Sequence, residues 1–278
     1  MPLERLGVCS WSLQPDSPAD LVSRVQETGL SRVQLALTPV VSDRERWSTV
    51  LEVLSEANLS VISGMMAPVG EDYSTLETIA QTGGIRPDMT WAANEAMARA
   101  MAVVAGKAGI GLVTLHAGFL PHDREDAERG RMVDRLQLMA GIFADQGVSL
   151  AFETGQESAD TLLEVLSDID RETVGVNFDP ANMILYAMGD PVEAVKKLAP
   201  HIMQIHIKDA VPAETPGSWG SEVPAGTGAV DWDAFFVAVE SVPRQVDAII
   251  EREAGDARIE DVRTAIELVR PQVKTGAA

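Results

Sequence analysis

The chain contains one cysteine, Cys9, among 278 residues. It cannot form an internal disulfide, so nothing in its thiol chemistry implies an oxidising compartment. Basic residues are scarce: 22 Lys and Arg stand against 42 Asp and Glu, a formal net charge of −20. A polyanion of that size is repelled by phosphate backbones and anionic lipid, which argues against nucleic acid and membrane partners. No apolar run approaches the ~18 residues of a membrane span. The opening Met1–Trp11 lacks the basic start and apolar core of a secretion signal. No Pro/Gly-rich linker, fixed-period repeat, P-loop or arginine cluster is visible. Hydrophobic residues at 46% and charged residues at 23% are ordinary for a globular protein. The expectation is one soluble, cytoplasmic domain spanning residues 1–278.

What the chain does have is rhythm. Short runs rich in Val, Ile and Leu recur, each followed by a longer stretch with helical spacing. The predicted strands are Leu3–Cys9, Arg32–Leu37, Ser60–Gly64, Gly111–His116, Ser149–Glu153, Thr173–Phe178, Met203–Ile207 and Asp247–Glu251. They are nearly continuous in apolar residues, as parallel strands covered on both faces should be. Between them, Met97, Ala100, Met101, Val104 and Ala108 share one helical face, and Met132, Leu136, Met139, Ala140 and Phe143 share another. Gly29, Gly109 and Gly147 each precede a strand, where a left-handed helix cap needs no Cβ. Asp190 followed by Pro191 reads as an N-cap with Pro in the first turn.

Eight strands alternating with helices, in a length close to the ~250 residues typical of the fold, predict a single-domain α/β (β/α)8 TIM barrel. A doubly wound sheet would want a glycine-rich turn after an early strand, where this chain has Cys9-Ser10-Trp11-Ser12. Two long connections, about Met65 to Thr90 and Lys208 to Val230, follow strands and so fall on the C-terminal face, as lids or substrate walls. The tail Lys274–Ala278 is expected to fray.

Four successive strands finish in a metal-ligand residue type. The fifth ends at Glu153 and the sixth at Asp179; the seventh carries His206 and the eighth ends at Glu251. In a barrel these ends lie side by side around one mouth. Three carboxylates and an imidazole suit Mn²⁺ or Mg²⁺, with Co²⁺ or Zn²⁺ as alternatives. The ion would neutralise charge that sits too close to the core to stand alone.

Six segments, in this order and spacing, resemble the sugar phosphate isomerase/epimerase family, the xylose isomerase-like TIM barrels. They are Gly7-Val-Cys-Ser-Trp-Ser, Leu112-Val-Thr-Leu-His-Ala-Gly, Ala151-Phe-Glu-Thr, Asn177-Phe-Asp-Pro-Ala-Asn, His206-Ile-Lys-Asp and Ile250-Glu-Arg-Glu. The family includes ketose 3-epimerases and, more distantly, endonuclease IV, and the resemblance covers nearly the whole chain. It implies a metal held by Glu153, Asp179, His206 and Glu251, the four residues the strand ends had singled out. It also implies a homo-oligomer, a dimer or tetramer. The chain departs from the pattern at Asn182, where members acting on free ketoses, and the nuclease, usually carry a His. With four His in all and a charge of −20, a nuclease role is disfavoured.

Other residues near the proposed mouth have two readings each. His116 could donate to a substrate hydroxyl or assist proton transfer, or be a histidine bonded to backbone. Lys208 could contact substrate oxygens or balance the acidic rim. Arg252 could orient a metal-bound carboxylate or form a structural ion pair. Trp11 and Trp219 could stack on a sugar or simply pack; Gln156 and Glu157 could reach a hydroxyl or cap a helix. His122 and His201 read as surface residues.

The chemistry that fits is proton transfer next to a carbonyl. A cation polarises the carbonyl and stabilises an enediolate, while Glu153 and Glu251 remove and return a proton on opposite faces. The expectation is a metal-dependent isomerase or epimerase of a small keto sugar or derivative. The alternatives are a lyase or hydrolase of 3-keto glycosides on the same site, an endonuclease IV-like nuclease, and a sugar-binding barrel without turnover.

Overall fold

Parallel strands that are apolar on both faces must be covered on both, and the chain satisfies this by closing its sheet on itself. In the computed structural model, which describes residues 5–215 and 217–270, eight parallel strands form a closed barrel. They are β1 (Leu6–Cys9), β2 (Arg32–Ala36), β3 (Ser60–Met65), β4 (Leu112–Leu115), β5 (Ser149–Glu153), β6 (Val174–Phe178), β7 (Ile202–Ile207) and β10 (Asp247–Ile250). The last closes against β1, with Gly7 opposite Ile249. All eight lie within two residues of their predicted ends, apart from the start of β1. The predicted start Leu3 lies outside the described residues, as do Pro216 of the second long connection and the tail Lys274–Ala278.

Helices α1 (Pro18–Thr28), α6 (Asp88–Ala108), α7 (Ala127–Ala144), α8 (Ala159–Ile169), α10 (Pro191–Leu198), α11 (Trp232–Val239) and α12 (Arg258–Val269) form the outer layer, with shorter helices, α2 (Leu37–Ser42) and α3 (Arg44–Trp47) among them, in between. Gly29, Gly109 and Gly147 take φ of 83°, 70° and 72° before the following strands. Asp190 caps α10 by accepting from Val192 N and Glu193 N. The face predicted for α7 is buried throughout.

On α6 the buried row is Asn94, Ala98, Met101, Ala102 and Ala105. Of the predicted face only Met101 belongs to it. Ala100, Val104 and Ala108 instead line a groove of ≈ 1010 Å³ shared with Leu51 and Ser55 of α4 (Val50–Glu56). Apolar residues lie on both the inner and the groove-facing sides of α6, so periodicity could not single out the inner row.

The two long connections are structured. The first contains α5 (Leu76–Thr82), capped by Thr75. The second contains an antiparallel hairpin of β8 (Asp209–Val211) and β9 (Ser221–Val223). No helix among the described residues is long and apolar enough to cross a membrane.

Candidate metal centre

Side chains two residues apart on a strand share a face. Gln204, His206 and Lys208 on and after β7 therefore stack in one file, as do Asn177 and Asp179 at the end of β6 and Glu251 and Glu253 beyond β10. In the register of β7 and β10, His206 stands opposite Ile249, which sets Lys208 beside Glu251. Three levels result: buried amides at the bottom, ligand-type residues above them, and a Lys–Glu pair at the top.

In the middle level His206 Nδ1 lies 3.5 Å from Glu153 Oε1, 3.5 Å from Asp179 Oδ2 and 3.3 Å from Glu251 Oε2. One donor atom from each of the four residues lies within 4.8 Å of the other three, and all four residues are buried. Ligands held about 2.0–2.2 Å from one ion are separated by distances of this size. Asp179 Oδ2 and His206 Nδ1 are buried without any hydrogen-bond partner. Leaving such atoms unsatisfied costs about 1–3 kcal/mol each, and a shared cation would satisfy both. The residues present fit a divalent metal.

The level below prepares the ligands. Gln34 Nε2 donates to Thr114 Oγ1 at 2.9 Å, which leaves its Oε1 facing His206 Nε2 at 2.8 Å. That oxygen can only accept, so Nε2 carries a proton, and Nδ1 is the nitrogen turned toward the three carboxylates, where a metal would meet it. Asn177 Nδ2 donates to Glu153 Oε2 at 3.2 Å and Asn182 Nδ2 to Glu153 Oε1 at 2.9 Å. Asp179 caps α9 (Pro180–Leu185) through Oδ1, accepting from Asn182 N at 3.0 Å, which frees Oδ2 for the centre.

Electrostatics separates the carboxylates. Burial pushes Asp179 above its ordinary pKa, and Lys208 and His206 only partly oppose this. Burial acts on Glu251 as well, but Lys208 and His206 hold it well below the carboxylate range. Burial disfavours a charged His206, yet Glu251 and Glu153 lift its imidazole well above the usual value.

The remaining sequence-derived residues divide. Lys208 Nζ donates to Glu251 Oε2 at 2.8 Å and to Glu253 Oε2 at 2.6 Å, and lies 3.4 Å from Asn182 Oδ1. Trp11 reaches the centre as a hydrogen-bond donor, Nε1 to Glu251 Oε1 at 2.8 Å. His116 Nε2 lies 3.7 Å from Glu153 Oε1, and its Nδ1 is buried without a partner. Burial opposes a charge on His116, but Glu153 and Glu71 raise its pKa. Arg252 is not brought into the cluster; its guanidinium bonds Glu222 and Asp261, each at 2.8 Å. Trp219 packs edge-on against Tyr186 at 5.0 Å. Gln156 donates to Tyr186 Oη at 3.5 Å, and Glu157 is buried. Neither caps a helix, because Ser158 caps α8. His122 is exposed and His201 half-buried.

Sequence reasoning missed Gln34, Asn177, Glu253, Glu222 and the aromatic pair Phe119–Tyr186, whose centroids are 5.6 Å apart. A signal existed for three of them. Gln34 and Asn177 are polar residues inside apolar strands, and Glu253 follows Glu251 by the strand period of two.

The sequence profile of the Xylose isomerase-like TIM barrel family matches residues 17–272. The chain belongs to that family. A xylose isomerase domain protein from Planctomyces limnophilus is 33% identical, covering 91% of this chain and 92% of its own, with a TM-score of 0.82. A D-allulose 3-epimerase from Methylomonas sp. superposes with a TM-score of 0.72 over 97% of this chain and 96% of its own; at 16% identity it shows the shared fold alone. A 3-oxo-isoapionate decarboxylase from Pectobacterium atrosepticum is 29% identical over 113 residues, 39% of this chain and 41% of its own. The chain spans 30% and 41% of the lengths of the two curated relatives it matches.

Proposed function

We propose that the protein is a divalent-metal-dependent enzyme that epimerises or isomerises a keto sugar or sugar derivative by moving a proton at the carbon next to the carbonyl. The observation that supports this reading is the convergence of Glu153, Asp179, His206 and Glu251, with two donor atoms left unpartnered among them. When bound, the ion (Mn²⁺ first, with Mg²⁺, Co²⁺ or Zn²⁺ as alternatives) supplies an electrophile for the substrate carbonyl.

The chain's own residues carry the proton. Glu153 is held by two neutral amides, Asn177 and Asn182. Glu251 is held by an indole and an ammonium, Trp11 and Lys208. An ammonium at contact distance lowers carboxylate basicity more than an amide does. Glu153 is therefore the stronger base and takes the proton, and Glu251 serves the opposite face of the planar intermediate. His116 stands beside Glu153 to meet a substrate oxygen.

The test is a proton-NMR screen in D₂O of the Mg²⁺-loaded protein against ketoses, their phosphates and 3-keto glycosides. One C–H signal should disappear for the true substrate class. Glu153→Gln and Glu251→Gln should each slow that exchange by about 10²–10⁴-fold, the usual worth of a positioned acid or base, with circular dichroism unchanged. Full activity in either variant contradicts the assignment.

A second reading is favoured by the relative that is a decarboxylase. The same proton abstraction would expel a group from the next carbon, making the protein a lyase of 3-keto glycosides, or a hydrolase where water then adds across the double bond formed. Release of an aglycone in the same screen distinguishes it. A sugar-binding barrel without turnover would exchange no proton from any candidate.

A further inference from the structure

The outer layer of a closed barrel covers the outer faces of its strands. Over the start of β3 the cover is incomplete. The chain between β2 and β3 is broken into three short helices, α2, α3 and α4, none of them longer than seven residues. Between α4 and α6 they leave the groove of ≈ 1010 Å³, which reaches down to Val61 of β3. Val61 is only half-buried. The lining is apolar apart from four serines and two cations, Arg44 and Lys107, and it includes no carboxylate. Neither cation has an ion-pair partner among the described residues. In a chain with 42 Asp and Glu, an apolar groove edged by unpaired cations is complementary to an apolar surface that carries carboxylate, and a second copy supplies one.

The solvent side of α6 has the matching shape. Met89, in its first turn, is 98% exposed, and Val103, on the rim of the groove, is 40% exposed. Their spacing is close to four helical turns, so both lie on one side of the helix, about 20 Å apart. Between them Ala92, Ala96 and Ala100 recur at steps of four, small enough for a second helix to come close. Ala96 falls midway between Met89 and Val103. A two-fold axis at Ala96 therefore lays α6 antiparallel on its own copy and sets each Met89 against the other's Val103, at the edge of the groove. Ala92 meets Ala100 in the same register. Lys107, one turn beyond Val103, comes beside the copy's Asp88, whose side chain is 70% exposed although Arg131 and Arg135 already hold it. Knob meets groove and cationic end meets acidic end, twice over.

We propose that two copies of this chain pair through α6, antiparallel about Ala96, each seating its Met89 in the other's groove between α4 and α6. The pairing is independent of the reaction at the barrel mouth.

The test is sedimentation velocity of the full chain at micromolar concentrations. The wild type should sediment as a dimer. Met89→Glu and Val103→Glu alter exposed side chains and leave the fold intact by circular dichroism. Each should weaken association at least about 100-fold, as loss of a central apolar contact does. Lys107→Glu should weaken it about tenfold at low salt and less at high salt, because it sets like charges beside each other. Val237→Glu, at an exposed position of α11, should leave the dimer as it was. Ala96→Cys should cross-link two chains on mild oxidation with diamide, since Cys9 is fully buried and gives no background. A monomeric wild type overturns the proposal, whatever else occupies the groove. So does a dimer that survives Met89→Glu and Val103→Glu, one that Val237→Glu disrupts equally, or the absence of a cross-link in Ala96→Cys.

Discussion

Glu157 is a carboxyl without a partner for its charge. It follows β5 by four residues, is 3% exposed, and its Oε1 has no hydrogen bond. Burial alone pushes its pKa up to about 8 from 4.5. Between those values the folded protein holds a proton that the unfolded chain has released. The stabilisation is complete below about pH 4.5 and is lost as pH rises through about 8. At about 1.4 kcal/mol per pKa unit, a few kcal/mol are at stake. Glu157→Gln is neutral at every pH and should unfold with a flatter pH profile. At pH 8.5 it should exceed the wild type by a few kcal/mol in urea denaturation; parallel profiles for the two proteins would contradict this account. The four ligand-type residues were legible because each interrupts or ends an apolar strand, where a buried charge demands a reason. Glu222 was not, because its role arises only where the hairpin meets the segment after β10. Arg252 shows the same limit: its position beside Glu251 was readable, but its direction toward Glu222 and Asp261 depended on where the hairpin and α12 settle.

At the scale of elements, the wall over the mouth hangs on one side chain. Asp209 is 1% exposed. It accepts from the backbone N of Ala210, Gly226, Gly228 and Val230 and from Trp232 Nε1, at 2.9 to 3.2 Å. A Cβ at Gly228 would lie 2.2 Å from Asp209 Oδ1, so the loop needs glycine there to wrap the carboxylate. From the far side, Glu222 of β9 accepts from Arg252 Nη1, Glu253 N and Ala254 N, tying the hairpin to the segment that carries Glu251. Asp209→Ala leaves several buried donors unpaired and should cost about 4 kcal/mol. Amide exchange at Gly226 and Gly228 should accelerate with it, and unchanged protection would refute the anchoring role. The barrel strands were legible because continuous apolar runs bounded by glycines leave few alternatives. The hairpin was not: β8 and β9 are three residues each, too short for a periodicity to register, and they are held by these long-range side-chain bonds.

For the molecule as a whole, a closed barrel brings four strand ends that are far apart in the chain to one mouth. The chain that does this belongs to a family of such barrels, and its formal charge of −20 draws cations toward that mouth. The central claim is that Glu153, Asp179, His206 and Glu251 share one divalent ion. Electron paramagnetic resonance titration with Mn²⁺ tests it directly. The account predicts one tight site per chain, with an affinity lowered at least about 100-fold in both Asp179→Asn and His206→Ala, the upper end of what even supporting partners of a metal contribute. No tight site in the wild type, or one that survives both substitutions intact, would contradict it.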